Sequence, residues 1–241
     1  MNDLTQLREM VARSCRILGK LNLTKEPSGH VSARVSGEDK VLIKARGPDE
    51  SGLRFVTAQD IITVNFDGKK LDGAEGLESP QEVFIHTWLY KTRPDVNCVV
   101  HVHPVTVVLF TICNKPLQPL FGAYDPSALR LIVSGLSTYP RSVTVSNNKL
   151  GEEFVQAMGG KPACLMRGHG ITSAGATVEE ATLTAIKLND VAEINYRASL
   201  LGNPQPIPPE DIEAIMGSTR GETKSVHAAS AWRYYCALLG E

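Results

Sequence analysis

The chain of 241 residues contains no run of 18 or more apolar residues, so a transmembrane helix is not expected. Its opening, MNDLTQLREM, mixes charged and apolar residues and lacks the apolar core of a secretory signal peptide. No charge sign dominates: 25 Lys+Arg stand against 26 Asp+Glu, a formal net charge of -1. A general nucleic-acid binder carries a basic excess, and this chain has none. No CxxC pair occurs. Cys15, Cys98, Cys113, Cys164 and Cys236 are scattered and odd in number, which excludes a zinc ribbon and a disulfide scaffold. Internal repeats, low-complexity tracts and long linkers are missing as well. What remains is the expectation of a soluble, reduced, cytoplasmic protein without nucleic-acid or membrane partners. Its length suits a single domain over residues 1–241, and 42% apolar residues can bury a sizeable core.

Periodicity supplies the elements. Leu4, Leu7, Met10, Val11, Cys15 and Leu18 fall near helical spacing and predict a helix over 3–20. Val31, Ala33 and Val35 alternate as in a strand, and Val41, Leu42 and Ile43 form its hairpin partner. KARGPDESG reads as a polar loop. DIITVNFDGKKLDG reads as a strand, an Asp-Gly turn and a short return strand. Ser79 as N-cap and Pro80 at the first position predict a helix that ends before Pro94. VNCVVHVHP is a buried strand, and the segment after Pro104 turns helical. Residues 116–146 give only a mixed reading with turns. LGEEFVQAMG is a helix stopped by Gly159 and Gly160, and PACLMRGHGITSAG is a strand, a glycine-bracketed turn and a return strand. Thr177 and Glu180 form a capping box before a long helix. Pro204 to Pro209 reads as a rigid connector, and a last helix spans 225–239. Helices flanking a mainly antiparallel sheet give an α+β or mixed α/β class.

The residues that carry chemistry are few. His101 and His103 lie at positions i and i+2 of an apolar strand, so both imidazoles project from one face. Two adjacent imidazoles in such a strand are costly unless something binds them, and a divalent metal suits imidazole. Two satisfied structural histidines are the plain alternative. His169 sits between Gly168 and Gly170, which permit a sharp turn and close backbone approach. With His101 and His103 it completes a set of three, the number that catalytic zinc-type sites use. Glu82, placed in the first helical turn, is either a carboxylate favoured by the helix dipole or part of the site. His86 lies four residues on, along the same helix face, and is a candidate for the core. His30 follows Gly29 at the start of a strand and is placed to line a pocket. His227 reads as structural.

The order of SGHVSARV, VTAQDIITVNFDGK, PQEVFIHTWLYKTRPDVNCVVHVHP and PACLMRGHGITSAGATVEEA resembles the class II aldolase/adducin superfamily, over roughly residues 5–200. That resemblance implies a central, mostly antiparallel sheet with helices on both sides, and a C4 homotetramer with metal sites near subunit interfaces. It matches His101, His103 and His169 to the family's metal histidines. Glu82 matches the family glutamate, which serves as a further ligand or as the acid/base. A divalent ion is implied, with zinc, manganese, cobalt and iron all compatible. The resemblance also implies a C-terminal tyrosine at the interface pocket. Tyr234, in AWRYYCALL, is the candidate, with core packing of that helix as the alternative.

The chain departs from sugar-phosphate aldolases where those enzymes hold phosphate. Gly29-His30, Lys44-Ala45-Arg46-Gly47 and Pro80-Gln81 replace a Gly-Asn turn, a Thr-Pro-Ser-Gly-like loop and a Ser-Ser pair. Imidazole, ammonium and guanidinium groups stand in for hydroxyls, and Arg pairs a flat carboxylate through two parallel N–H bonds. His30, Lys44 and Arg46 are thus candidate binders of a carboxylated substrate. A solvated loop is the plain reading of Lys44 and Arg46. FGAYDPSALRLIVSGLSTYPRS and LMRGHG look like the branch that decarboxylates hydroxylated aromatic dicarboxylic acids. The implied function is a metal-dependent carbon–carbon lyase of that kind. The alternatives are an aldolase on a non-phosphorylated or carboxylated substrate, a dehydratase, and a non-catalytic adducin-like scaffold.

Overall fold

Alternating apolar residues from eight strands meet along one sheet, seen in a computed structural model that describes residues 3–218 and 221–240. In chain order the strands are β1 (His30–Arg34), β2 (Lys40–Lys44), β3 (Ile61–Asn65), β4 (Lys70–Asp72), β5 (Cys98–Val102), β6 (Ser137–Tyr139), β7 (Ala163–Met166) and β8 (Gly170–Gly175). Their spatial order is β4-β3-β2-β1-β5-β8-β7-β6. Every pairing is antiparallel except β6 with β7, so the sheet is mixed with one parallel edge. The helices are α1 (Asp3–Lys20), α2 (Val83–Thr92), α3 (Val105–Ile112), α4 (Pro126–Val133), α5 (Asn148–Met158), α6 (Val178–Leu201), α7 (Pro209–Ser218) and α8 (Gly221–Leu239).

The two faces of the sheet carry separate cores. Val31, Ala33, Leu42, Val100 and Val102 point to α1 and α6 and pack with Ile17, Leu18, Ala185 and Leu188. Val41, Ile43, Val64 and Val99 point the other way, to α2 and α5, and pack with Ile85, Leu89, Phe154 and Met158. All of these side chains are buried, and each except Ala33 and Ala185 contributes roughly 1.5–3 kcal/mol relative to exposure. The polar residues between them follow the same parity. His30 and Ser32 alternate with Val31 and Ala33, so they face α2, as does His101 between Val100 and Val102.

Several sequence expectations need correction. The helix expected to start at Pro80 after a Ser79 cap starts at Val83, with Glu82 in the N-cap position. Arg46 and Glu78 form a two-way backbone bridge that keeps the chain extended to this point, and the Ser79 hydroxyl donates to the Gly68 carbonyl. The mixed segment holds α4, capped by the Asp125 carboxylate, and strand β6. Pro209 does not end a connector but opens α7, with Glu210 and Asp211 in its first turn. The last helix begins at Gly221, four residues earlier than read; residues 219 and 220 before it lie outside the described residues. Among the described residues no helix is long and apolar enough to cross a membrane.

Candidate metal centre and active site

Three neighbouring elements bring the site together. β5 delivers His101 from its buried middle face, and His103 follows one residue beyond the strand's end. The turn between β7 and β8 delivers His169. Gly168 there has φ of 63°, and a side chain on Gly170 would press within 2.4 Å of the Val102 carbonyl. Both glycines are therefore required to bring His169 against β5. Glu82 arrives from the opposite side, at the head of α2.

The donor atoms of Glu82, His101, His103 and His169 all lie within 4.8 Å of one another. His101 Nε2 and His103 Nε2 are 2.9 Å apart. Glu82 Oε2 is 3.2 Å from His101 Nε2 and 3.3 Å from His169 Nε2. Four donors bound about 2.0–2.1 Å from one tetrahedral ion stand about 3.3 Å from each other. The cluster therefore has the chemistry and spacing of a divalent-cation site, with three imidazoles and one anionic oxygen.

The surroundings orient each ligand. His101 Nδ1 lies 3.2 Å from the Thr172 hydroxyl, across the β5–β8 ladder. The backbone of Val143 bears on His169. Glu82 makes no capping bond to its own helix. Its Oε1 instead accepts from the buried Val145 amide at 3.0 Å, leaving Oε2 for the histidines. Such second contacts fix ring and carboxylate orientation before any ion arrives. Burial pushes the Glu82 carboxyl up, but His101, followed by the His169 bond, outweighs it and holds the group well below the ordinary carboxylate range. Burial and the neighbouring His101 and His169 lower His103 to about 3, so its nitrogen is free to bind a metal at neutral pH. His169 is opposed by burial and raised by the Glu82 bond, and ends above its ordinary value.

The remaining candidates divide. His30 joins the cluster: it pairs with His101 across the β1–β5 ladder, and the two rings stack with centroids 5.1 Å apart. His86 is fully buried behind it and donates or accepts at His30 Nδ1, 2.6 Å away. Arg46 lines a depression of about 420 Å³ with Ser79, Pro80, Gln81, Thr144 and Ser146. Glu82 does not itself line it, although its chain neighbours Gln81 and Val83 do, as do Thr144 and Ser146 on either side of the Val145 that bonds to Glu82. Arg46 is half exposed and already pairs with Glu78 at 2.6 Å and the Ser79 carbonyl at 3.0 Å. Thr144 and Ser146, from outside the three replaced segments, also bring hydroxyls to this depression.

Lys44 is not part of this constellation. β2 continues through it, so Lys44 shares the α1 face with Leu42, on the far side of the sheet from the histidines. It is 4% exposed and forms an ion pair with Glu50, with Cys15 and Asp60 nearby. Tyr234 does not reach the cluster of its own chain either. It is 61% exposed on α8, while Trp232, Tyr235 and Leu239 pack on the core beside α1 and α6. His227 is exposed on the same helix.

The sequence profile of the class II aldolase and adducin N-terminal domain matches residues 9–196. The chain belongs to this family. It is 38% identical to a 3,4-dihydroxyphthalate decarboxylase of Arthrobacter keyseri, covering 96% of this chain and 93% of that protein. A second 3,4-dihydroxyphthalate decarboxylase, of a Terrabacter strain, is 36% identical over 97% of both chains. The fold is shared with an aldolase II superfamily protein from Pseudomonas syringae at a TM-score of 0.85 and 22% identity, covering 99% of this chain and 94% of that one.

Proposed function

We propose that this protein is a divalent-metal-dependent carboxy-lyase that decarboxylates 3,4-dihydroxyphthalate or a closely similar hydroxylated aromatic dicarboxylate. The observation that carries the reading is the full-length likeness to two decarboxylases of that name, met in one molecule with a converged cluster of three histidines and a carboxylate. His101, His103, His169 and Glu82 hold the ion, which is zinc, manganese, cobalt or iron. When bound, it supplies Lewis acidity that draws negative charge onto a substrate oxygen.

The chain's own groups account for the rest. Loss of carbon dioxide leaves an electron pair on a ring carbon, and a proton must replace the carboxylate. Glu82, ionised at neutral pH, would take the proton of the C3 hydroxyl and return it to the ring carbon that loses the carboxylate. One oxygen is anchored by Val145, and the other faces the cluster and is able to exchange ligand duty for proton duty. The carboxylate that leaves is the one beside the C3 hydroxyl, because its bond to the ring lies β to that oxygen. Arg46 lines the depression beside the head of α2, and there its guanidinium would pair the carboxylate that is retained. His30 donates from the cluster side. Lys44, on the other face, has no part in the reading.

Val105, Leu109 and Ile112 leave an apolar stripe of α3 exposed directly after His103. Such a stripe beside a site supports assembly through this face, and a homotetramer with Tyr234 of α8 directed to a neighbouring site is part of the proposal. So are a cytoplasmic location and a single functional unit over residues 1–241.

The deciding experiment supplies purified, metal-loaded protein with 3,4-dihydroxyphthalate and follows carbon dioxide release and the ultraviolet spectrum. Formation of 3,4-dihydroxybenzoate is expected. Arg46→Ala is expected to lower kcat/KM about ten- to a hundredfold, the effect of losing a charged hydrogen bond to the substrate. Cleavage of fuculose phosphate with no decarboxylation would replace the reading by an aldolase.

A further inference from the structure

A line of buried polar groups runs from the metal cluster into the layer between the sheet and α2. His30 Nδ1 is 2.6 Å from His86 Nε2. His86 Nδ1 is 2.6 Å from Ser32 Oγ, and Ser32 Oγ is 2.6 Å from the Tyr90 hydroxyl. His86, Ser32 and Tyr90 are 0%, 0% and 2% exposed, so none of these bonds is shared with bulk water. We infer that His30 meets the substrate as a neutral Nε2–H donor, and that His86, Ser32 and Tyr90 are positioning residues that fix this tautomer through the chain of hydrogen bonds.

Counting protons decides the direction of the chain. Each of the three links holds one proton, and each proton has one owner. The Val99 backbone also bears on the buried Tyr90 hydroxyl, as an N–H donor to its oxygen, so Ser32 Oγ is the acceptor to which the Tyr90 O–H points. Ser32, already an acceptor from Tyr90, then gives its own proton to His86 Nδ1. With Nδ1 accepting, neutral His86 carries its proton on Nε2 and donates it to His30 Nδ1. His30 is left with its proton on Nε2. The reverse direction would strand the Tyr90 proton in a dry interior. A stranded buried donor of this kind disfavours a state by roughly ten- to a hundredfold.

The free end of the chain points to the right place. His30 Nε2 has no protein partner among the described residues, and it is not among the fully buried unpaired atoms. The 6% of His30 that is open therefore includes this atom. The ring lies against His101, and Gly29 before it has φ of 79° and stands against the His101 carbonyl, which fixes where the strand begins. A neutral donor held there favours an anionic substrate oxygen without competing with the metal as a second cation would. The tautomer follows from the chain alone. Only the identity of the substrate rests on the decarboxylase reading above.

The test uses the full-length zinc-loaded protein with ring nitrogens of histidine labelled by 15N. Without substrate, the His30 and His86 signals, assigned by His30→Asn and His86→Asn, should both show a protonated Nε2 and a bare Nδ1. A proton on His30 Nδ1 in the wild type would overturn the inference. Removing both hydroxyls in Ser32→Ala/Tyr90→Phe should give mixed tautomers at His30 and lower kcat/KM for 3,4-dihydroxyphthalate about three- to tenfold, with zinc content unchanged. Ser32→Thr, which keeps the hydroxyl, should retain the tautomer and the rate. An unchanged kcat/KM in the double variant would overturn the positioning role. If the wild type does not turn over 3,4-dihydroxyphthalate, the decarboxylase reading falls, and the tautomer measurement still decides the chain.

Discussion

Glu82→Gln separates a ligand and proton carrier from a helix-start residue. The exchange keeps the shape of the side chain, so the fold should survive it. The structure also dictates how the new amide sits. The Val145 amide is buried and donates to Glu82 Oε1 at 3.0 Å, so the amide oxygen of glutamine must take that place. The NH2 group is then forced into the position of Oε2, 3.2 Å from His101 Nε2 and 3.3 Å from His169 Nε2. A donor replaces an anionic ligand at the centre of the cluster. Disturbing contacts that merely orient ligands costs 10–100-fold in metal affinity, and loss of a direct ligand should cost at least ~100-fold. Loss of the proton carrier lowers kcat by ~10²–10⁴-fold. The assay measures metal per chain by mass spectrometry, then kcat at saturating metal, with thermal unfolding as the check on folding. Full metal content together with unchanged kcat would refute the reasoning and leave Glu82 as a residue that organises the start of α2.

The double variant His101→Ala/His103→Ala removes half of the ligand set and should hold no metal after dialysis; one ion per chain would sink the site. Tyr234→Phe is silent if this exposed ring faces solvent, whereas a contact with a neighbouring site predicts a loss of about two- to tenfold in kcat/KM, the worth of one neutral hydrogen bond; light scattering checks the assembly in parallel. Thiol reactivity follows burial: burial raises Cys15 to about 12 and Cys164 to about 11, and lifts Cys98 well above its ordinary range, while Cys113 is exposed. A disulfide reagent at pH 8 should therefore label Cys113 rapidly and spare Cys15, Cys98 and Cys164 until the protein is unfolded, which peptide mapping would read.

The histidine cluster was legible because its geometry is local. A period of two puts His101 and His103 on one side, and glycines around His169 announce a turn that no other residue tolerates. Lys44 shows how narrow the margin is. It was taken with the polar loop that follows it, yet β2 runs one residue further, and one residue of parity sends the side chain to the opposite face of the sheet. The start of α2 failed for a different reason. Ser79 and Pro80 carry the local pattern of a helix start, but the bridge between Arg46 and Glu78 joins residues far apart in sequence and overrides it.

The support of the site was hidden for the same cause. Val145 lies 63 residues from Glu82, and nothing in its own neighbourhood marks it as the amide that anchors the Glu82 carboxylate. Ser32 read as one polar position of an alternating strand, and Tyr90 as one aromatic of an apolar helix. Only the packing of α2 on β1 brings their hydroxyls within 2.6 Å of each other. The spacing of Glu82 and His86 was visible, and it has a physical consequence that the spacing alone does not state. Four residues of helix carry the side chain one turn deeper, from the histidine cluster to the layer behind it. The head of α2 thus brings Glu82 against the histidines, and its next turn supports them at one remove, by holding the imidazole that bonds to His30.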